Sequence, residues 1–188
     1  MNVYDFDRTI TDKDSSYMFI LYALRKYPRA FENSISDIAA SAAEYFTSGR
    51  KDPSNMKEQL FSVLRYIPEP AELVKCYWNS NLCSIQEWYP EQRRDDDIII
   101  SASPDFIVRP MAEKLGVRLI ATPMDIFSGN IHGANCKGEE KLRRFRLEFP
   151  GEHIDEFYSD SVSDTPMALE ADRAFIVKNG KVFNWPAE

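Results

Sequence analysis

The chain has 188 residues, which suits one domain or one domain carrying a sizeable insertion. Hydrophobic residues make up 44% and aromatic residues 13% of it, enough to bury a core, so a disordered polypeptide is excluded. The net charge of −7 speaks against nucleic acid, whose phosphates are held by a clustered basic excess, and leaves a small molecule or a protein as the expected partner.

Val3-Tyr4 opens the chain as a short apolar, strand-like pair, followed at once by Asp5-Phe6-Asp7-Arg8-Thr9. Like charges on alternate residues of one strand face repel, so folding alone gives no reason to choose them. The first ten residues have neither the basic nor the apolar region of a secretory signal. The apolar run at 17–24 is far shorter than the roughly 20 residues of a membrane span. No membrane contact is expected.

From Ser15 to about Trp88 the texture is helical throughout. Residues 15–27 open with serines and stop before Pro28; residues 30–49 end at Gly49. Residues 52–67 carry an Asp52 cap and Pro53 at the first helical position, and residues 70–89 follow Pro68 and Pro70. Cys76 and Cys83, seven apart, would share a face of that last helix and pack there as small hydrophobes. With Cys136 they make an odd set without a CxxC pair, so a disulfide framework is not expected and a reducing, cytoplasmic location is.

Beyond Asp97 strands and helices alternate. Residues 97–101, "DIIIS", read as a strand buried on both faces. A helix over 103–116 follows, with a Ser103 cap, Pro104 at the first position, a kink or break at Pro110 and a stop at Gly116. Then come a strand at 117–122, a small hairpin around Gly129-Asn130 and a helix at 137–149. A strand at 154–159, a helix at 163–171 and a last strand at 173–180, paired with "KVFNW", complete the chain. The i,i+4 pairs Glu139–Arg143 and Glu140–Arg144 make the basic stretch at 141–146 a solvated face.

This alternation predicts an α/β fold with a Rossmann-like parallel sheet covered by helices. About 85 residues separate the first two strands, against the dozen or so that a crossover needs. The helical block at 13–89 is therefore expected to be an all-helical cap inserted after the first strand, with the core at 1–12 and 90–188.

Ligands of such sheets bind at the carboxyl ends of the strands. Those ends carry Asp5 and Asp7, Ser101, and Asp160 and Asp164, with Lys137 and Lys141 one turn apart at the opening of a helix. Four converging carboxylates repel one another without a cation. No His or Cys accompanies them, so a hard, oxygen-preferring ion is implied, with Mg²⁺ the default. The remaining hydroxyl and ammonium suit phosphate oxygens. Phosphoryl transfer is the indicated chemistry, one carboxylate attacking phosphorus and another handling a proton.

Asp5-x-Asp7-x-Thr9, Ser101, the Lys137/Lys141 region and Asp160-xxx-Asp164 resemble, in order, the four motifs of the haloacid dehalogenase superfamily. "IISASPDF", "GNIHGANCKGEEK" and "YSDSVSDTPM" look like its phosphoserine-phosphatase-like branch, which carries a helical cap after the first motif. The resemblance implies a Mg²⁺-dependent phosphatase acting on a small phosphorylated metabolite. Asp5 would be the nucleophile and a metal ligand. Asp7 would be the acid/base, with its carbonyl on the metal. Thr9 would steady the loop, and Ser101, with Ala102 beside it, would bind the phosphoryl group. Asp160 and Asp164 would hold the metal, Asp164 directly or through water. Lys137 or Lys141 would neutralise charge, with Lys141 preferred. Arg8 stands where the family often has a small residue, and points away or touches phosphate or leaving group. Asp14, at the entry to the cap, is a candidate substrate contact. The serine-rich "SDSVSD" departs from a typical phosphoserine phosphatase and tells against phosphoserine as substrate. The alternatives are phosphotransfer through the same aspartyl-phosphate, or a phosphoacceptor or binding module without turnover.

Overall fold

The computed structural model of the protein describes residues 1–35 and 53–186. Six strands form one sheet in the order β3-β2-β1-β4-β5-β6. They are β1 (Asn2–Tyr4), β2 (Ile98–Pro104), β3 (Arg118–Thr122), β4 (Ile154–Ser159), β5 (Ala171–Lys178) and β6 (Lys181–Asn184). All neighbours run parallel except β6, which turns back on β5. Tyr4 pairs with Ile99 on one side and with Tyr158 on the other, so β1 is central. The carboxyl ends of β2 and β4 therefore flank the residue after β1, which is Asp5. That junction is where the strand order reverses, the usual ligand crevice of open α/β sheets.

The strands are apolar on both sides because helices cover both faces. Val3, Ile98, Ile100 and Phe157 pack toward α7 (Glu139–Glu148) and α8 (Thr165–Glu170), through Phe145 and Met167. Tyr4, Ile99 and Tyr158, one residue on, face α6 (Asp105–Leu115) through Val108, Met111 and Ala112. Asn81 and Arg8 adopt the left-handed region, and Gly116 does so to close α6.

Between β1 and β2 the described chain carries the helices α1 (Ser15–Lys26), residues 28–35 (α2), α3 (Pro53–Phe61) with a 3₁₀ turn at Ser62–Tyr66, α4 (Pro70–Asn79) and α5 (Trp88–Gln92). Phe19, Ile20, Phe61, Leu64, Leu73, Val74 and Tyr77 form a separate apolar cluster there, touching the sheet layer through Ile107 and Met124. The chain enters and leaves this block side by side. Asp12 N–H donates to Ser84 O at 2.9 Å and Gln86 N–H to Ile10 O at 2.8 Å. No helix among the described residues is long and apolar enough to cross a membrane.

Several elements differ from the sequence expectation. The predicted helix at 30–49 is described only to residue 35, where it already begins at 28; its remainder and the Asp52 cap lie outside the described residues. The predicted helix at 70–89 ends at Asn79, because "NSN" turns the chain at Asn81 with φ 54°. Cys76 is thus exposed on α4 while Cys83 is buried after the turn, and they share no helix face. β2 runs on through Pro104, so α6 starts at Asp105 and Ser103 does not cap it. Pro110 lies inside α6 without ending it. The expected hairpin at 126–133 is a loop closed by one bridge, Met124–Ile131, whose turn is held by Asp125 accepting from Ser128 N–H at 2.7 Å.

That loop is clamped to α3. Glu58 accepts from Ile131 N–H at 2.7 Å, and Arg65 donates to Ser128 O at 3.2 Å and to Asn130 Oδ1 at 3.1 Å. Gly129, at φ +75°, rides so close that a Cβ would sit 2.4 Å from the Phe61 carbonyl. Gly129→Ala is expected to destabilise the fold by roughly 1–3 kcal/mol, read by chemical denaturation.

Candidate active site

Asp5 follows β1 directly, and its N–H donates to Tyr158 O at 2.8 Å, which ties its backbone to β4. Its side chain is almost closed off, at 7% exposure. Asp5 Oδ1 accepts from Lys141 Nζ at 2.6 Å, and the same ammonium donates to Asp164 Oδ2 at 2.7 Å. Lys141 reaches this point from the first turn of α7 and is 1% exposed. Burial works against its charge, but the combined pull of Asp5 and Asp164 outweighs it and raises the ammonium above the ordinary lysine range. Burial pushes the Asp5 carboxyl up to about 7, even with Lys141 opposing it.

Asp7 lies two residues on, past the end of the strand. Its Oδ1 accepts from Ser15 N–H, at the start of α1, at 2.7 Å, and its Oδ2 accepts from the Ser103 hydroxyl. Ser103 Oγ in turn lies 2.6 Å from Ser16 Oγ. Burial raises the Asp7 pKa and the charge of Asp14 adds to this, while the Ser103 and Ser15 hydrogen bonds work the other way. The carboxyl that the sequence assigns to proton transfer is thereby held toward its protonated form, which is what a general acid needs.

Asp5, Asp7, Arg8, Asp14, Ala102, Lys137, Lys141, Asp160 and Asp164 all open on one cavity of about 340 Å³. Two predicted residues do not. Ser101 is buried, and its Oγ accepts from Ser103 N–H at 3.0 Å; the pairing of β2 with β3 slips between Ser101 and Pro104, and Ala102 and Ser103 line the cavity instead. Thr9 is fully buried and its hydroxyl has no partner among the described residues. The loop is held by Thr11 instead, whose hydroxyl donates to Phe6 O at 3.1 Å and Lys13 O at 2.7 Å. Asp14 caps α1, accepting from Tyr17 N–H at 2.8 Å. Arg8 is exposed, and its positive charge acts on Asp160. Lys137 is exposed, and it is Lys141 that bridges the carboxylates.

Among the described residues no three His, Cys, Asp or Glu side chains are grouped closely enough to hold a metal ion as they stand. Asp164 is already engaged, its Oδ2 by Lys141 and Ser159 (2.8 Å) and its Oδ1 by Gly138 N–H (3.3 Å). Asp5 and Asp160 turn carboxylates to the cavity, and burial raises the Asp160 pKa as it does that of Asp5. Two carboxylate donors on the cavity, with no nitrogen or sulfur ligand beside them, fit a hard divalent cation.

Sequence reasoning missed Ser103, Ser16, Lys57 and Asn135, which line the same cavity. Ser103 shares the parity of Ser101 and was legible as a strand-end hydroxyl. Lys57, a charged residue on an amphipathic helix of the inserted block, carried no signal.

A family model described as haloacid dehalogenase-like hydrolase matches residues 3–169. Protein CicA of Caulobacter vibrioides is 26% identical over 204 residues, covering 95% of this chain and 86% of its own. A structure described as a phospho-aspartyl intermediate analogue of phosphoserine phosphatase superposes with a TM-score of 0.58 at 18% identity, covering 92% of this chain and 83% of that one. A phosphoserine phosphohydrolase-like protein from Francisella tularensis superposes with a TM-score of 0.53 at 15% identity, covering 93% and 86%.

Proposed function

This chain belongs to the haloacid dehalogenase-like hydrolases, and from that premise we propose that it is a phosphatase that hydrolyses a small phosphorylated metabolite in the cytoplasm through Asp5. The carrying observation is the buried Lys141 ammonium between Asp5 and Asp164, in the cavity that Asp7 also faces. Asp5 and Asp164 share this fixed cation, but Asp164 is also engaged by Ser159 and Gly138, whereas Lys141 is the only side-chain partner of Asp5 among the described residues. Nothing in the packing of a strand end calls for that arrangement, whereas a nucleophile facing a phosphate dianion does.

In this reading an Asp5 oxygen forms a bond to phosphorus as the bond from phosphorus to the ester oxygen breaks. The proton of Asp7 goes to the departing alkoxide. Asp7, now ionised, takes a proton from a water that attacks the same phosphorus, and the bond to Asp5 breaks to free inorganic phosphate. Lys141 offsets negative charge on Asp5 and the phosphoryl oxygens throughout. Ser103 and Ser15 N–H hold the Asp7 carboxyl in one orientation for both steps. Asp5 and Asp160, with the main-chain carbonyl of Asp7, would hold Mg²⁺, with Asp164 acting through Lys141 and water. When bound, the ion supplies charge stabilisation to the phosphoryl oxygens.

Residues 13–89 are taken as the cap, joined to the core at the paired segments around Asp12 and Ser84, and their closing over the cavity would exclude bulk water. Asp7 favours turnover over a phosphoacceptor, which needs no second acid. The test is inorganic phosphate release from a panel of phosphomonoesters with Mg²⁺ and with EDTA. Release that falls about 100-fold or more in EDTA and returns with added Mg²⁺ is expected. No release from any ester would replace this reading by phosphotransfer or by a phosphoacceptor.

A further inference from the structure

The cavity holds two ammonium groups that this chemistry does not use. Lys141 answers for the charge on Asp5, whereas Lys57 and Lys137 open on the same space. Lys57 comes from α3, within the inserted block. Its Nζ donates to Ala102 O at 2.7 Å and to Asn135 Oδ1 at 2.9 Å. Both acceptors are neutral, and one of its three N–H groups is left over among the described residues.

Burial works to lower the Lys57 pKa; Asp7 and Asp14 oppose that through space, and the nearby charge of Lys137 adds to it. Lys57 is half-buried and Lys137 exposed, and two like charges bordering one cavity are eased when an anion joins them. Asn135 completes the set. Its Oδ1 accepts from both Lys57 and the Thr122 hydroxyl, the latter at 3.0 Å, so its amide nitrogen is the part left to donate.

Hydrogen bonds say which part of a substrate Lys57 would meet. Its acceptor Ala102 adjoins Ser103, whose hydroxyl donates to Asp7, whereas Asp5 is engaged by Lys141. With the phosphoryl group on Asp5 and the departing oxygen at Asp7, Lys57 lies on the leaving-group side.

We propose that Lys57, Lys137 and the Asn135 amide form an anion subsite for a second acidic group on the leaving-group side, so that the preferred substrates are phosphomonoesters carrying a carboxylate or a further phosphate. This rests on the proposed function only for where the phosphoryl group sits. The subsite is contributed jointly by the inserted block and the loop before α7, so selectivity and closure over the substrate are coupled.

Binding of non-hydrolysable phosphonates, measured by calorimetry with Mg²⁺, tests the subsite without requiring turnover. The probes are 3-phosphonopropionate (carboxylate tail), propane-1,3-bisphosphonate (second phosphonate), propylphosphonate (neutral tail) and 3-aminopropylphosphonate (cationic tail). At least one acidic-tailed probe is expected to bind about tenfold or more tighter than propylphosphonate, with the aminopropyl compound weakest. The better of the two acidic probes identifies the second group. Lys57→Gln should reduce the acidic-over-neutral preference to about threefold or less, and Lys57→Arg should retain most of it. Equal affinity for acidic and neutral tails, no binding of any probe, or a preference that Lys57→Gln leaves intact would overturn the subsite. A uniform loss in Lys57→Gln would instead mark the lysine as a latch between α3 and β2. Hydrolysis of the phosphomonoester panel, with 2-phosphoglycolate and ethyl phosphate included, reports on the phosphatase reading separately: acidic preference in binding without release from any ester keeps the subsite and rejects the phosphatase.

Discussion

Asp5→Asn is expected to lower phosphate release by about 10³-fold or more while leaving the protein folded. An amide cannot serve as the oxygen nucleophile, and Asp164, the other carboxylate on Lys141, is already engaged by Lys141, Ser159 and Gly138. The substitution keeps the side-chain volume at a site that is 7% exposed, and the amide oxygen can still accept from Lys141. Lys141 also keeps Asp164. The variant should therefore show a thermal midpoint close to that of the wild type, so that lost activity reports chemistry and not folding. Activity within tenfold of wild type in a well-folded variant would remove Asp5 from the nucleophile's role.

Lys141→Met should cost both activity and stability, the latter by about 3–5 kcal/mol, because it strips the shared counter-charge from two buried carboxylates. The pH dependence carries a sign that can be checked in metal-free buffer. The Asp5 pKa is raised to about 7 by burial, so between about pH 4 and pH 7 the folded protein holds a proton that the unfolded chain has released. Stability from this group is present at low pH and declines as pH rises through that window. Lys141 pulls the Asp5 pKa down. Its removal raises that pKa further and extends the decline to higher pH. Denaturant titrations at pH 5 and pH 8 should find the Lys141→Met penalty clearly larger at pH 8; a penalty independent of pH would mean that the carboxylates do not depend on this ammonium.

The periodicity of the second half of the chain was sufficient to order its strands and helices, since consecutive apolar residues such as Ile98-Ile99-Ile100 and Phe157-Tyr158 fit a strand whose two faces are both covered. It was weaker in the inserted block. The break after Asn79 depends on a left-handed residue within a sequence that is otherwise helix-forming, and propensity does not reveal it.

The candidate site divides along the same line. Asp5, Asp7, Asp160 and Asp164 were readable because strand ends of a parallel sheet must gather at one rim, whatever the packing details. Which hydroxyl faces the cavity was decided by the slip in pairing between Ser101 and Pro104, a tertiary feature that brings Ser103 to Asp7 and leaves Ser101 behind it. The choice of Lys141 over Lys137 was decided by where α7 begins and how it docks on the sheet, since Lys141 lies in its first turn and Lys137 lies before Gly138, outside the helix. Lys57 and Asn135 meet across 78 positions of sequence, and only the packing of α3 against the loop after β3 brings them together. The sequence by itself determined which strand ends carry acid and therefore what class of chemistry the rim can do. The tertiary structure alone decided which side chains complete it, because hydrogen-bond distances depend on how helices dock and not on the local pattern that forms them.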